Sequence, residues 1–270
     1  KIAAADAHKN FRNSPYTFSL LFMSKKRYQE PTPAAIDVAE FKKAITSRRT
    51  VRKFTDKPIP AAVLDDCLHL AMLAPNSSNL QPWYFVKVQS PDKKAALANA
   101  CLGQNGAKTA QELVVIAART GIYNRHAKLN LSHWPANMPI PKLVRDYYQK
   151  LVPLYYTQGF LNGFGNLKRG LTTVAGAFKA LPRGPFSEAD MRVWAVKSTA
   201  LAAQNFMLAM RAYGFDTCPM EGFDAKRVQK ICKLPRDAEI VMVLGCGERT
   251  ADGVYYPQIR FETERFVATV

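Results

Sequence analysis

The sequence predicts a protein in which helices pack on a β-sheet, in an α+β or α/β arrangement. Apolar residues recur at helical spacing in residues 60–74 and 190–213. Runs rich in aromatic and β-branched residues, which favour strands, lie at residues 83–88, 113–116 and 240–244. Because helical and strand segments alternate along the chain, we expect a sheet covered by a layer of helices.

Two helices are predicted before the first strand. The first begins near Val38, and the second covers residues 60–74, where Pro60 suits an opening turn and Pro75 ends the helix. Its apolar positions are Val63, Leu64, Cys67, Leu68, Ala71 and Met72. These positions share one face of a helix, which we expect to lie in the core.

The runs at 83–88, 113–116 and 240–244 are expected to be central strands, and the last is expected to end at Gly245. The long helical segment that precedes the last strand has few charged residues after Lys197, and Gly214 stands where a helix is expected to stop. A helix that is apolar all round must be buried on several sides.

The composition is that of a soluble globular protein. At 270 residues and 48% hydrophobic, the chain can form one large domain or two small ones, and no apolar run approaches the roughly 20 residues that a membrane helix needs. The cysteines are Cys67, Cys101, Cys218, Cys232 and Cys246. They form no Cys-x-x-Cys pair and no histidines cluster with them, so we interpret them as reduced thiols of a cytoplasmic protein and expect no metal site.

We interpret residues 1–35 as an N-terminal arm and residues 36–270 as the main domain. Met23, followed by Ser24 and two lysines, resembles a natural start, so residues 1–22 are either an added extension or a translated upstream arm. Within the main domain, residues 124–185 are rich in proline, glycine and aromatic residues. Such long excursions commonly act as lids or embrace a partner.

The net charge of +17 could indicate nucleic-acid binding, because lysine and arginine displace counterions from phosphates. The basic residues, however, extend from Lys9 to Arg265 without forming one stripe with interleaved aromatics. A chain that binds anionic cofactors has the same charge balance. We therefore expect neither a nucleic acid nor a membrane as a partner.

Three short segments carry the functional signal. They are residues 47–54 (Ser-Arg-Arg-Thr-Val-Arg-Lys-Phe), 74–83 (Ala-Pro-Asn-Ser-Ser-Asn-Leu-Gln-Pro-Trp) and 219–224 (Pro-Met-Glu-Gly-Phe-Asp). Taken alone, the first is typical of a solvated basic surface, the second of a turn before a strand, and the third of a proline-initiated turn. Together they resemble the FMN-dependent nitroreductase family, and the resemblance runs, with a gap, from about Phe41 to Phe261.

The resemblance implies a fold and an assembly. The fold is an α+β three-layer sandwich, with a central, mostly antiparallel sheet and helices on both faces. The assembly is a homodimer with two FMN sites at the subunit interface, each built from both chains. The apolar segment 191–213 is the expected core of the dimer, since obligate interfaces resemble a domain core.

The first segment suits the phosphate end of FMN. Guanidinium groups bind phosphate bidentately and a hydroxyl adds a further bond, as Arg48, Arg49 and Thr50 would. The family more often has serine where Thr50 stands. The resemblance assigns Arg52 to the pyrimidine edge of the flavin, where a fixed cation stabilises the negative charge that develops when the ring accepts hydride.

In the second segment, the resemblance brings Ser77 and Asn79 to the flavin through their hydroxyl and amide groups, in part across the subunit interface. In the third, it places the backbone along the flavin ring, with an N–H near Glu221 or Gly222 donating to flavin N5. The residues expected to line the ring there are Pro219, Met220, Glu221 and Gly222. The expected catalytic groups are Glu221, Gly222 and Arg52, with no side-chain acid, base or nucleophile.

A fourth segment, residues 253–261, resembles the terminal phosphate-binding stretch of the family. Arg260 keeps the match, whereas Gln258 stands where a lysine or arginine is usual. Arg249 or Arg265 could supply the missing cation, although a surface arginine is the ordinary interpretation of either.

The resemblance implies that NADH or NADPH reduces FMN and leaves, and that a small oxidised acceptor is then reduced, in ping-pong order. Nitroaromatics, quinones and conjugated enones are the expected acceptors. Two alternatives within the fold are reductive dehalogenation and flavin fragmentation, and a third is a flavin-binding module without turnover. The aromatic residues of segment 124–185 either govern acceptor choice or pack the dimer.

Overall fold

The computed structural model describes residues 28–270. The suggested start at Met23 and most of the N-terminal arm lie outside the described residues. The described chain divides into two compact units: residues 36–121 with 192–270, here called the sheet unit, and residues 122–191 with 28–35, here called the excursion unit. The excursion predicted at 124–185 lies within the second.

The helices and strands follow one another in this order: α1 (Val38–Ser47), α2 (Ala61–Met72), β1 (Trp83–Val88), α3 (Pro91–Ala100), α4 (Asn105–Lys108), β2 (Glu112–Arg119), α5 (Tyr123–Ser132), α6 (Lys142–Asp146), a π-helical turn (Tyr147–Leu151), α7 (Val152–Tyr156), α8 (Gly163–Ala175), α9 (Glu188–Ala212), β3 (Asp216–Met220), α10 (Ala225–Cys232) and β4 (Ala238–Gly247). Short 3-10 turns occur at Ser77–Asn79, Phe160–Asn162 and Thr263–Arg265.

The four strands form one sheet in the order β1-β2-β4-β3, and every neighbouring pair is antiparallel. The three predicted strands are confirmed, but the predicted end of the last one at Gly245 is wrong. The strand continues because Gly245 pairs with Leu113 of β2 and Cys218 of β3. A Cβ on Gly245 would lie 2.0 Å from the carbonyl oxygen of Gly106. Only glycine allows the backbone next to α4 to approach β4 this closely.

Strand β3 was not predicted, because Asp216 and Pro219 disfavour strands. The interpretation of Pro219 and Met220 as part of a turn is therefore wrong. Pro219 is tolerated because β3 lies at the edge of the sheet, where a missing N–H does not interrupt a ladder on both sides.

Helices cover both faces of the sheet. Alternate residues of β2 point to opposite sides: Val114 and Ile116 pack in one core with residues of α2 and α9, while Val115 and Ala117 pack in another with residues of α3 and α10. The predicted α+β sandwich with three layers is confirmed.

The predicted helices are confirmed with small shifts at their ends. Helix α1 begins at Val38, where the side chain of Asp37 accepts a hydrogen bond from the N–H of Ala39 at 2.8 Å. Helix α9 ends two residues before Gly214, whose φ of 85° lies in the left-handed region. Within the described chain, α9 still exposes Val193 and Leu201, so its burial on all sides is not complete.

The excursion unit is helical and held together by a lysine. Lys168 on α8 donates to the carbonyl oxygens of Tyr155 and Thr157, both at 2.7 Å, and burial lowers the pKa of its ammonium group. An adjacent face of α8 and the turn after it are apolar and exposed. The residues on that face are Leu167, Leu171, Val174 and Phe178.

Among residues 28–270, no helix is long and apolar enough to cross a membrane. In the same part of the chain, no three His, Cys, Asp or Glu side chains are arranged to hold a metal ion. All five cysteines are free thiols. Burial raises the pKa of Cys67 to about 12 and that of Cys101 to about 11, so both are neutral at pH 7.

Candidate functional site

The first predicted segment lies along the free edge of β3. Thr50 forms a parallel bridge with Thr217, and the N–H of Val51 donates to the carbonyl oxygen of Thr217 at 3.1 Å. The side chain of Val51 is fully buried and fixes the segment to the core. Arg48 and Thr50 are thereby held at the sheet edge, half-buried.

The third predicted segment leaves β3 at the same edge. Met220 is the last residue of the strand and is buried, whereas Glu221 and Gly222 beyond it are exposed. The N–H of Phe223 donates to the carbonyl oxygen of Glu221 at 3.1 Å and closes a tight turn. Within the described chain, the N–H of Gly222 has no hydrogen-bond partner, so it faces outward as a free donor.

Gln104 fixes the other side of that turn. Its Nε2 atom donates to the carbonyl oxygen of Gly222 at 2.7 Å and to that of Cys101, in the C-cap of α3, at 3.0 Å. A Cβ added to Gly222 would meet nothing closer than Gln104 Nε2, at 3.4 Å. The side of Gly222 where a Cβ would stand is therefore open, and the hydrogen bond from Gln104 fixes its carbonyl group.

The stretch after β4 runs beside the first segment. The N–H of Arg52 donates to the carbonyl oxygen of Gly253, and the N–H of Thr55 donates to that of Glu248, each at 2.8 Å. Farther along, Arg49 Nη2 donates to the carbonyl oxygen of Tyr256 at 2.5 Å. Three chain segments distant in sequence therefore meet at the β3 edge.

Arg52 rests on an aromatic ring from this stretch. Its guanidinium carbon lies 5.8 Å from the centre of the Tyr255 ring, and Asn105 Nδ2 donates to the Tyr255 hydroxyl at 2.9 Å. Such cation–π contacts contribute about 0.5–1 kcal/mol at exposed sites. Asn105 and Gln104 were not identified from the sequence, because no spacing pattern connects them to the predicted motifs, and Tyr255 lies in the fourth segment but was assigned no role there.

The cations predicted to bind phosphate differ in their availability. Within residues 28–270, Arg48 has neither an ion-pair nor a hydrogen-bond partner. Arg260 is exposed and donates to the carbonyl oxygen of its neighbour Ile259 at 2.6 Å. Arg265 approaches Glu262 to only 4.0 Å. Arg249, by contrast, is engaged by a buried carboxylate.

That carboxylate belongs to Asp216, whose side chain is 1% exposed. Arg211 Nη1 donates to both of its oxygens, at 3.0 and 3.1 Å. Arg249 donates from Nε at 2.6 Å and from Nη2 at 2.5 Å, and the hydrogen bond to Asp216 raises the pKa of Arg249. Arg249 Nη2 also donates to the carbonyl oxygen of Ser47 at 3.2 Å.

The second predicted segment precedes β1, which is the opposite edge of the sheet from β3. Neighbouring strands lie about 4.8 Å apart, so β1 and β3 are about 14 Å apart. The loop is conformationally restrained: Ser78, Asn79 and Gln81 have φ of 58°, 49° and 45°, in the left-handed region. Asn76 Oδ1 accepts from the N–H of Gln81 at 2.7 Å. Side chains of Ser77 and Asn79 are exposed.

Cys218 lies next to the third segment but is suited to packing. It is 3% exposed, and a Cβ on Gly106 would lie 2.5 Å from its sulfur. Burial raises the pKa of the Cys218 thiol, while Arg52 lowers it by a smaller amount. The thiol is therefore neutral and buried, which suits packing rather than a role as a redox nucleophile.

Known proteins are similar to this chain in sequence and in fold. The Nitroreductase family profile matches residues 45–248. A protein of Thermus thermophilus named NADH dehydrogenase is 28% identical over 234 residues, which cover 87% of this chain and 98% of that one. The crystal structure of YdfN from Bacillus subtilis superposes with a TM-score of 0.70 at 24% identity, over 87% of this chain and all of that one.

A further crystal structure, of a protein from Exiguobacterium sibiricum in complex with FMN, has a TM-score of 0.61 at 21% identity, over 89% of this chain and all of that one. The two solved structures show that the fold is shared. The profile match includes the first and third predicted segments and covers most of the chain. This chain belongs to the nitroreductase family.

Proposed function

We propose that the chain is an FMN-dependent NAD(P)H oxidoreductase that acts as a homodimer. The observation that carries the proposal is the meeting of three segments at the β3 edge, with Arg48 and Thr50 near the start of the strand and the exposed Gly222 just beyond its end. The FMN complex of the Exiguobacterium sibiricum protein supports the cofactor. The name of the Thermus thermophilus relative supports a nicotinamide donor.

The residues at this edge fit FMN in charge and in shape. The phosphate carries close to two negative charges at neutral pH, and Arg48 offers an unpaired guanidinium to it, with Arg49 and the Thr50 hydroxyl nearby. The flat ring needs a side chain-free surface, which the backbone of Glu221 and Gly222 provides.

Bound FMN supplies the hydride chemistry. The protein would contribute electrostatics: the Arg52 guanidinium would stabilise negative charge on the flavin ring, and the backbone N–H of Glu221 or Gly222 would donate a hydrogen bond to it. Gln104 keeps the Gly222 turn in place while this occurs. No side-chain base is required, because the nicotinamide delivers the proton and the electron pair together as hydride.

The site is completed by the partner subunit. Ser77 and Asn79 precede β1, at the edge of the sheet away from Arg48 and Gly222. We propose that these two side chains serve the FMN of the other protomer. The exposed apolar residues Val193 and Leu201 of α9, at 58% and 48%, form part of the subunit interface.

We propose nitroaromatics, quinones or conjugated enones as acceptors, reduced after the oxidised nicotinamide has left. All three accept two electrons and present a planar, largely apolar face.

The test is the visible spectrum of the purified full-length protein before and after anaerobic addition of NADH or NADPH. We expect a yellow protein whose extracted cofactor is FMN, whose flavin absorbance is bleached by the reduced nicotinamide and restored by a quinone. A protein that binds no FMN when mixed with an excess contradicts the proposal. Bound FMN that neither nicotinamide reduces would instead indicate flavin fragmentation or a binding module.

A further inference from the structure

Asp216 is a buried charged group that the proposed reaction does not use. It is the first residue of β3, and its side chain is 1% exposed. Two arginines share its carboxylate, one near the end of α9 and one after β4, with all four donor distances between 2.5 and 3.1 Å. A buried carboxylate requires such partners, since an unpaired one is strongly destabilising.

One of the two arginines reaches the candidate phosphate segment. Arg249 presents Nε and Nη2 to the two oxygens of Asp216, in the fork geometry of a bidentate pair. The same Nη2 donates to the carbonyl oxygen of Ser47, the last residue of α1. Ser47 directly precedes Arg48, so the carboxylate holds the backbone from which the unpaired guanidinium extends.

A second contact ties the other end of the segment to the same strand. Thr217 follows Asp216 and accepts the backbone hydrogen bond from Val51 at 3.1 Å. The segment from Ser47 to Val51 is therefore fixed at both ends by consecutive residues of β3. Between these two fixed points stand Arg48 and Thr50, the groups proposed to hold the phosphate.

We infer that Asp216 and Arg249 are positioning residues for the phosphate end of FMN, acting through the Ser47 carbonyl group rather than by touching the cofactor. This inference rests on the proposed function. It also assigns Arg249: with Nε and Nη2 committed to Asp216 and Ser47, it orients Arg48 and is not itself the missing phosphate ligand.

The two possible roles of Arg249 predict effects of opposite sign for Asp216→Asn. If Arg249 were a phosphate ligand restrained by Asp216, neutralising the carboxylate would free it and add one net positive charge, so FMN would bind more tightly. If Arg249 is a positioning residue, the same substitution releases the Ser47 carbonyl and FMN binds more weakly despite the added positive charge.

Riboflavin provides the readout that a merely structural role would not change. It has the ring and ribityl chain of FMN but lacks the phosphate, so a defect at the phosphate end weakens FMN alone. Fluorescence titration of the full-length apoprotein would give the dissociation constants of both flavins. For Asp216→Asn we expect the preference for FMN over riboflavin to fall about tenfold, the equivalent of one charge-assisted hydrogen bond.

Arg249→Lys is the milder second variant, since lysine keeps an ion pair with Asp216 but cannot also reach the Ser47 carbonyl. We expect its preference for FMN to fall several-fold, and it decides the matter if circular dichroism shows that Asp216→Asn is unfolded. The matched control is Lys57→Met, which removes the 2.7 Å ion pair to Glu248 between the same two chain segments. The control should keep the preference of the wild type.

An unchanged or increased preference for FMN in Asp216→Asn overturns the inference, as does an equal weakening of both flavins. An unchanged preference in Arg249→Lys overturns it as well. A wild-type protein that binds neither flavin overturns the proposed function first, and the inference with it. These outcomes separate a failure of the positioning role from a failure of the cofactor assignment.

Discussion

The two edges of the sheet are built in different ways. At the β3 edge, segments from three distant parts of the chain are joined by backbone hydrogen bonds and by the buried Asp216 cluster. At the β1 edge, the loop of residues 75–82 has three non-glycine residues with left-handed φ, and its Asn76 side chain bonds within the loop. The β3 edge is joined by several long-range contacts, whereas the loop at the β1 edge combines a long-range hydrogen bond, from the N–H of Arg119 to the carbonyl oxygen of Pro82, with a restrained local conformation.

The difference agrees with the proposed division of the site between two protomers. Left-handed conformations at Ser78, Asn79 and Gln81 cost free energy, and such conformations are concentrated at functional sites. The β3 edge provides charge and backbone donors, while the β1 edge provides hydroxyl and amide groups on a restrained loop. The two edges offer different groups, which is the arrangement expected when two protomers form one site.

The largest expected effect separates two glycines near the β3 edge. Gly245→Ala should lower the free energy of unfolding by about 3 kcal/mol or more, because the added Cβ would lie 2.0 Å from the Gly106 carbonyl oxygen. Gly222→Ala should change it by less than about 1 kcal/mol, since its nearest neighbour would be 3.4 Å away. Urea unfolding measures both. Equal losses would show that Gly222 is a structural glycine.

The proposed division of the site between protomers can be tested with one variant at each edge and with a mixed dimer of the two variants. Arg48→Ala should weaken FMN binding by about 2–3 kcal/mol, the usual value of hydrogen bonds to a charged group, and Asn79→Ala by about 1 kcal/mol. A mixed dimer of the two variants, isolated with two different tags, contains one intact site if the edges of different protomers meet. We expect half of its sites to bind FMN with wild-type affinity. Uniformly weak binding would place both edges in one chain's site.

Arg52→Ala should act on the rate more than on affinity. The charge that Arg52 opposes develops only as the ring accepts hydride, so we expect flavin reduction to slow by about 2 kcal/mol, or roughly thirtyfold. FMN affinity should change by less than about 1 kcal/mol. Stopped-flow reduction and FMN titration give the two values, with Arg48→Ala as the contrasting variant. Equal changes in rate and affinity would contradict the assigned role.

The stability of the contact between β2 and the loop before β1 is expected to depend on pH, because Arg119 in this contact is paired with Asp237. Arg119 donates to Asp237 at 3.0 Å, and the N–H of Arg119 donates to Pro82 at the end of the restrained loop. Burial alone would raise the pKa of the Asp237 carboxyl, but hydrogen bonds from Arg119 and from the N–H of Gly121 hold it below its ordinary value. Its contribution to stability is therefore complete above about pH 4 and is lost as the pH falls through the lower folded pKa.

We expect Asp237→Asn to lower the free energy of unfolding by about 1–2 kcal/mol at pH 7 and by much less near pH 2, where the wild-type carboxyl is protonated. Unfolding by urea at both pH values measures this. A loss that is the same at both would mean that the charge of Asp237 is not what stabilises the junction. Asp65→Asn, which affects the exposed pair with Lys87, is the matched control.

The smallest expected effect concerns Tyr255. Tyr255→Phe keeps the ring under Arg52 but removes the hydroxyl that accepts from Asn105. Flavin reduction should slow by about 0.5 kcal/mol, two- to threefold, because the ring becomes less well fixed. Tyr256→Phe, at the adjacent and more exposed tyrosine, should leave the rate unchanged. If both variants behave alike, Tyr255 does not position Arg52.

The sequence predicted what depends on local pattern. The strands at 83–88, 113–116 and 240–244 are rich in aromatic and β-branched residues, and β2 is buried on both faces, so their composition alone identified them. β3 was missed because its conformation depends on pairing with β4 and its composition argues against a strand. The strand also continues past Gly245 because of a neighbour distant in sequence, which no local pattern reveals.

The same limit applies to the site. Arg48, Thr50 and Gly222 belong to motifs that a family resemblance identifies. Gln104 and Asp216 do not, because their partners are 118 residues away in one case and 33 in the other. Hydrogen bonds between such distant residues depend on the three-dimensional arrangement of the chain.

The segment of residues 47–54, which lies along β3, also affects solubility. An uncovered edge strand offers its N–H and C=O groups to any other chain in an extended conformation, and such edges start aggregation. Here Thr50 and Val51 occupy part of that edge, and Pro219 has no N–H to offer an incoming strand. Variants that loosen the segment should therefore precipitate more readily on storage than variants that only remove a phosphate contact.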